Sequence, residues 1–85
     1  MAIRANIISL ENGYQHLDNL RAVRVVSRQY NILIMDDYVP MIGEVSGSVT
    51  LIGRDGTTTE LKGIHGFYRH SRNEFSLLLE SGHVG

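Results

Sequence analysis

Ser48-Val49-Thr50-Leu51-Ile52-Gly53-Arg54-Asp55-Gly56-Thr57-Thr58-Thr59-Glu60-Leu61 is the stretch on which the fold class turns. β-Branched residues crowd both arms, and such side chains pack well on a pleated surface. Asp55-Gly56 between the arms readily takes the positive φ angles of a type I′ turn, so the stretch reads as a β-hairpin.

Working outward, the apolar period is about two residues rather than the roughly 3.6 of a helix. Ile3, Ala5 and Ile7 alternate with Arg4 and Asn6, and Phe75, Leu77 and Leu79 share a face at the other end of the chain. Between them, Tyr14–Leu17, Leu20–Val26, Ile32–Met35, Val39–Val45, Ser48–Gly53, Thr57–Leu61 and Ile64–Tyr68 are short, β-rich and bounded by Gly, Asn, Asp or Ser. That predicts about eight or nine strands. Asn12-Gly13 and the longer Ser71-Arg72-Asn73 mark further hairpin turns, and Asp18-Asn19 marks a turn between two strands. Gln15–Tyr30 is the one stretch with a helical alternative, carried by Leu17, Leu20 and Arg24 on one stripe. Val23, Val25 and Val26, with no C-cap before Tyr30, favour a strand. The expected fold is therefore all-β: a small β-sandwich of about eight to ten short, mostly antiparallel strands over residues 1–80, with a flexible tail at 81–85.

Composition bounds the function. Eighty-five residues suit one domain. At this size folding buries only a little over about 60% of the unfolded surface, so the 42% apolar content is needed for a core. The absence of cysteine excludes a disulfide scaffold and thiolate metal sites, and makes the cytosol the expected compartment. A net charge of −1 lacks the cationic footprint of a non-specific nucleic-acid binder. Arg4 and Asn6 interrupt the N-terminal apolar residues, and no apolar run approaches the roughly 20 residues that span a bilayer. A soluble chain, free to dock on a membrane complex, is expected.

No catalytic constellation emerges. Gly43, Gly47, Gly53, Gly56, Gly63 and Gly66 fall in no phosphate-cradling spacing, no Ser lies in a nucleophile elbow, and no His has an evident Ser or Asp partner. His65 and His70, separated by an odd number of residues, fall on opposite faces of a strand and read as solvated strand-end histidines rather than metal ligands. Asp36-Asp37 is the one paired carboxylate; between apolar strands it reads as a turn whose side chains bond the backbone, with general acid–base use as its alternative. Arg21, Arg24, Arg28, Arg69 and Arg72, interleaved with Tyr30 and Tyr68, could form a basic patch of the kind that suits single-stranded nucleic acid, but Asp18, Glu44, Asp55 and Glu74 dilute it, and solvated polar faces or the rim of a protein interface are the favoured reading. No catalytic residue, metal or cofactor is assigned.

The order of features resembles the N-terminal domain of the epsilon subunit of F-type ATP synthases. That family opens with an alternating strand, makes a hairpin to a strand with spaced valines, and continues to an Ile-Leu-Pro-Gly-His-Ala-Pro-Leu segment. The corresponding run here is Ile34-Met35-Asp36-Asp37-Tyr38-Val39-Pro40-Met41, and Pro40, the single proline, falls at the family's second proline. Ser46-Gly47-Ser48-Val49-Thr50-Leu51, His65-Gly66-Phe67 and Asn73-Glu74-Phe75-Ser76-Leu77-Leu78 follow in the family's order, so the resemblance runs from Ile3 to Glu80. Asp36-Asp37 replaces Pro-Gly, Tyr38 stands in place of His, and His65 replaces the first Gly of Gly-Gly-Phe. The family's C-terminal helical hairpin, which inhibits ATP hydrolysis and in some members senses ATP, has no counterpart.

The resemblance implies a roughly ten-stranded β-sandwich acting as a non-catalytic rotor component of the central stalk. It would bind the gamma subunit along one sheet and seat the stalk on the c-ring through loops, at the cytoplasmic face of the membrane. ATP binding is not expected without the hairpin. By position, Arg28-Gln29-Tyr30-Asn31 and Asp36-Asp37-Tyr38 match the stalk-contacting segments and are the candidate interface residues. The alternative is a stand-alone β-sandwich or barrel that binds another protein or single-stranded RNA.

Overall fold

The computed structural model describes residues 2–80; the expected tail at 81–85 lies outside them. Six strands run in chain order: β1 (Ile3–Ser9), β2 (Gly13–Ser27), β3 (Asn31–Met35), β4 (Met41–Gly53), β5 (Thr58–Ser71) and β6 (Glu74–Leu79). The sheet order is β1-β6-β5-β4-β2-β3, and β1 also pairs with β2. That last pairing closes β1, β6, β5, β4 and β2 into a five-stranded barrel and leaves β3 as an extra strand on β2. All ladders are antiparallel except the seam between β1 and β6, which is parallel.

The fold is all-β, as expected, but it is a barrel rather than a sandwich and has six strands rather than eight to ten. The strand segments lie where the sequence places them; their boundaries do not. Three expected breaks are bends inside long strands. At the first, Asp18-Asn19 is not a turn: it bulges β2 opposite Arg4, where the register passes from Ile3↔Leu20 to Ala5↔Leu17, and Asn19 takes φ 58°. Along β4 and β5, Gly47 opposes Ile64 and Ser48 opposes Lys62, so Gly63, at φ 63°, is the extra residue. A bulge increases local twist and bends a strand without ending it. Bent at these points, β2 pairs with β1 through its first half and with β3 and β4 through its second, the change of neighbour that a small barrel needs.

Turn chemistry also departs from expectation. At Asp55-Gly56 only Gly56 has positive φ (91°), and Gly53 N–H donates to the Thr57 carbonyl at 2.8 Å, giving a three-residue loop with a bulge glycine in place of a type I′ turn. Asp55 Oδ1 accepts from Thr57 Oγ1 (2.7 Å) and Thr57 N (3.0 Å), and these bonds hold its carboxyl below the usual carboxylate range. Conversely, Ser71-Arg72-Asn73-Glu74 is a tight two-residue turn: Arg72 and Asn73 both have positive φ (53° and 61°), and Ser71 pairs directly with Glu74.

The barrel interior is filled by side chains of alternating parity. Ile3, Ala5 and Ile7 of β1, Leu20, Val23 and Val25 of β2, Ile34 of β3, Val45, Val49 and Leu51 of β4, Ile64 and Tyr68 of β5, and Phe75, Leu77 and Leu79 of β6 form one cluster. Each fully buried Ile, Val, Leu or Phe contributes about 1.5–3 kcal/mol.

Candidate docking surface

Directly opposed residues on a pleated sheet share a face, so the register itself identifies rows across the barrel's outer surface. Glu44 on β4 opposes Phe67 on β5, Phe67 opposes Leu78 on β6, Leu78 opposes Ile8 on β1, and Ile8 opposes Tyr14 on β2. Phe67, Leu78, Ile8 and Tyr14 are 50, 53, 47 and 62% exposed. Four consecutive apolar residues thus cross four strands on the solvent side, over roughly 14 Å at the usual spacing between strands. Scattered exposed apolar residues are ordinary, whereas a contiguous row is a candidate interaction surface.

The neighbouring row orders one end of this surface. Tyr14 Oη donates to Asn6 Oδ1 at 2.7 Å, and His16 Nδ1 lies 2.7 Å from the same oxygen. His16 Nε2 is 2.7 Å from Asp18 Oδ1, and Asn6 Nδ2 donates to Glu74 Oε2 at 3.0 Å. The Tyr14 and His16 rings stack with centroids 6.4 Å apart. Tyr14 is therefore held at its hydroxyl and its ring, an arrangement that would lower the entropy lost in any contact made there.

The two interface segments expected from sequence flank β3, about 13 Å apart along that strand, and are tied to different elements. In the first, Arg28 and Gln29 are exposed and border a cleft of about 380 Å³ together with Glu44, Ser46 and His65. Tyr30 is half-buried against the core; its hydroxyl donates to the Glu44 carbonyl and lies 3.0 Å from the Tyr68 hydroxyl. Burial, and then the Tyr30 hydroxyl, push Tyr68 ionisation well above the usual phenol range. Asn31 accepts from Arg24 Nη1 at 3.0 Å.

In the second segment Asp36-Asp37 does form a turn, closed by Tyr38 N–H to the Met35 carbonyl at 3.2 Å. Each carboxylate bonds a side chain: Asp36 accepts from Arg54 Nη2 at 3.0 Å, and Asp37 from Asn73 Nδ2 at 3.2 Å. Asn73 Oδ1 in turn accepts from Asp37 N–H at 2.8 Å, which pins this loop to the β5–β6 turn. Tyr38 and Val39 remain exposed. The structure does not gather the two segments into one cluster.

His65 and His70 do lie on opposite faces of β5. His65 is exposed; His70 has no solvent exposure, and among the described residues neither ring nitrogen has a hydrogen-bond partner, so it is not a solvated strand-end residue. Among the described residues no group of three or more His, Asp or Glu is placed to hold a metal ion, and no helix is long and apolar enough to cross a membrane.

Sequence reasoning missed the apolar row. Its signal was present as residues out of phase with the alternation: Ile8 after Ile7, Leu78 between Leu77 and Leu79, and Phe67 beside Tyr68. Parity marks each as outward-facing, but only register shows them aligned. No protein-family model matches the chain, and no curated protein matches it.

Proposed function

We propose that this chain is a non-catalytic central-stalk subunit of an F-type ATP synthase, similar to the N-terminal domain of epsilon, that docks the gamma subunit to the c-ring. The observation that carries the reading is the outward row Phe67–Leu78–Ile8–Tyr14, whose four side chains stay about half exposed among the described residues. This row is the surface offered to gamma. The loops at 28–31 and 36–38 are offered to the c-ring, at the cytoplasmic face of the membrane. A closed barrel suits transmission of torque, because each of its strands has a neighbouring strand on both sides. The chain would support coupling of ion transport to ATP synthesis while nucleotide chemistry stays on other subunits.

Co-expression with a gamma subunit and a c-ring tests the reading. The expected result is co-purification of all three, with Leu78→Asp lowering gamma capture at least tenfold while circular dichroism stays that of the native fold. A charge placed in the centre of a desolvated contact costs several kcal/mol. A folded wild-type chain that captures neither partner would sink the proposal.

A second reading, a stand-alone barrel that binds single-stranded RNA, draws on one observation. Phe67 and Arg69 are neighbours on the outward face of β5, a stacking platform beside a cation. It predicts RNA binding that weakens steeply with salt.

A further inference from the structure

One corner of the barrel combines cations that make no ion pair among the described residues with hydroxyls and exposed aliphatic side chains. Ile42 on β4 opposes Arg69 on β5, and Arg69 opposes Ser76 on β6. Two adjoining clefts, each of about 330 Å³, share Arg69 and Ser71; one extends to Arg72, Glu74 and Ser76, the other to Pro40, Met41, Ile42 and His70. Among the described residues the ion pairs are His16–Asp18, Arg54–Asp36 and Lys62–Glu60. Arg69 and Arg72 take part in none of them. Glu74, the carboxylate on this cleft, accepts from Asn6 Nδ2 at 3.0 Å, and the exposed Arg4 opposes it across the seam.

The side chains select among anions. Two guanidinium groups beside the hydroxyls of Ser71 and Ser76 match the oxygens of a phosphodiester. Ile42 of the second cleft is 79% exposed, and Val39, which precedes Pro40 of that cleft in the chain, is 66% exposed. Phe67, beside Arg69 on the outward face of β5, could stack a nucleobase, but Ile42 and Val39 give it no stacking face and add nothing to RNA binding. Beside cations they suit the headgroup boundary of a bilayer, where phosphates meet the arginines and aliphatic tips enter the acyl margin. Arg72 holds a left-handed backbone conformation (φ 53°) at the tip of its turn, a place that Gly or Asn fills with less strain.

We infer that the corner formed by Arg69, Arg72, Ile42 and Val39 is a docking site for the surface of an anionic phospholipid bilayer. This does not rest on the rotor reading, since it concerns the isolated chain and a bilayer without other subunits.

The test is flotation of the full 85-residue chain with vesicles of phosphatidylglycerol and phosphatidylcholine, against vesicles of phosphatidylcholine alone, at low ionic strength. The expected result is partitioning onto the anionic vesicles only, lost when salt shortens the screening length to about 3 Å near 1 M. One cation near an anionic leaflet changes partitioning by about fivefold, so Arg69→Gln with Arg72→Gln lowers it by about 25-fold. Arg69→Gln with Arg72→Gly does the same while relaxing the turn, which separates lipid contact from folding. Ile42→Ser weakens binding without changing its salt dependence.

Equal binding to phosphatidylcholine vesicles, or undiminished binding by a folded double variant, would overturn the inference. So would displacement from the vesicles by millimolar inorganic phosphate, which would mark a free-anion site. Tighter binding to an oligouridylate than to the anionic vesicles, lost in the same variants, would reassign the corner to nucleic acid.

Discussion

His70 sits on the inward face of β5 between Met41 of β4 and Phe75 of β6, and the row continues through Ala5 of β1 to Leu17 of β2. No charged side chain belongs to that row. Burial holds the imidazole's ionisation below its ordinary range, so the folded chain keeps His70 neutral where the unfolded chain already binds a proton. Where the unfolded state binds more protons, stability rises with pH. The His70 contribution is thus fully present above about pH 6.5, the unfolded value, and is lost as pH falls below it. Urea denaturation of His70→Leu is expected to show a smaller fall between neutral and mildly acid pH. At pH 7 the variant is expected to be more stable by about 1–3 kcal/mol, because a buried polar group without a partner is removed. An acid slope equal to that of the wild type would refute this account. The position was legible, since Ile64, Gly66, Tyr68 and His70 share one parity; the residue's usual preference for solvent argued the other way, and in this row parity prevailed.

At the scale of elements, the sequence marks strand interiors well and strand ends poorly. Nine expected segments become six strands because Asp18-Asn19 and the Gly47 and Gly63 positions bend the chain without releasing it from its ladders. Gly and Asn permit a turn and a bulge by the same left-handed freedom. What decides between the two is whether the ladder resumes on the far side, and a single strand does not carry that information. Gly47 also has a packing role: a Cβ built there would lie 2.2 Å from the Val26 carbonyl oxygen, at the close approach of β2 and β4. Gly47→Ala must push those strands apart at the barrel's corner, and overpacking of this kind costs about 1–3 kcal/mol. The expected result is a lower denaturation midpoint with an unchanged m-value, since the surface exposed on unfolding is the same. A midpoint equal to that of the wild type would show that the corner yields without cost.

At the scale of the whole molecule, closure depends on β1, which pairs antiparallel with β2 on one side and parallel with β6 on the other. Neither partnership follows from the sequence, because the alternation that identifies β1 is silent about its neighbours. For the same reason the apolar row was out of reach: Ile8, Leu78, Phe67 and Tyr14 come together only through the register of this seam and its flanking ladders. The two loop segments expected from the order of features along the chain lie outside this row. A chain of this length has about 4–13 kcal/mol of total stability. Ile7, 2% exposed on the inner face of β1, contributes a large part of that: Ile7→Ala leaves a cavity costing about 2–5 kcal/mol. In a ring that cost cannot stay local, because β1 cannot loosen without opening both ladders. Hydrogen exchange is therefore expected to show protection falling by the same free energy in β1 and in the segments of β2 and β6 that pair with it. β3 has a single neighbour and exchanges through its own fraying. Leu33→Ala on that strand should speed exchange there and leave the seam untouched. If Ile7→Ala instead lowered protection in β1 alone, the barrel would be opening strand by strand, and the rigidity invoked for carrying torque would have no basis.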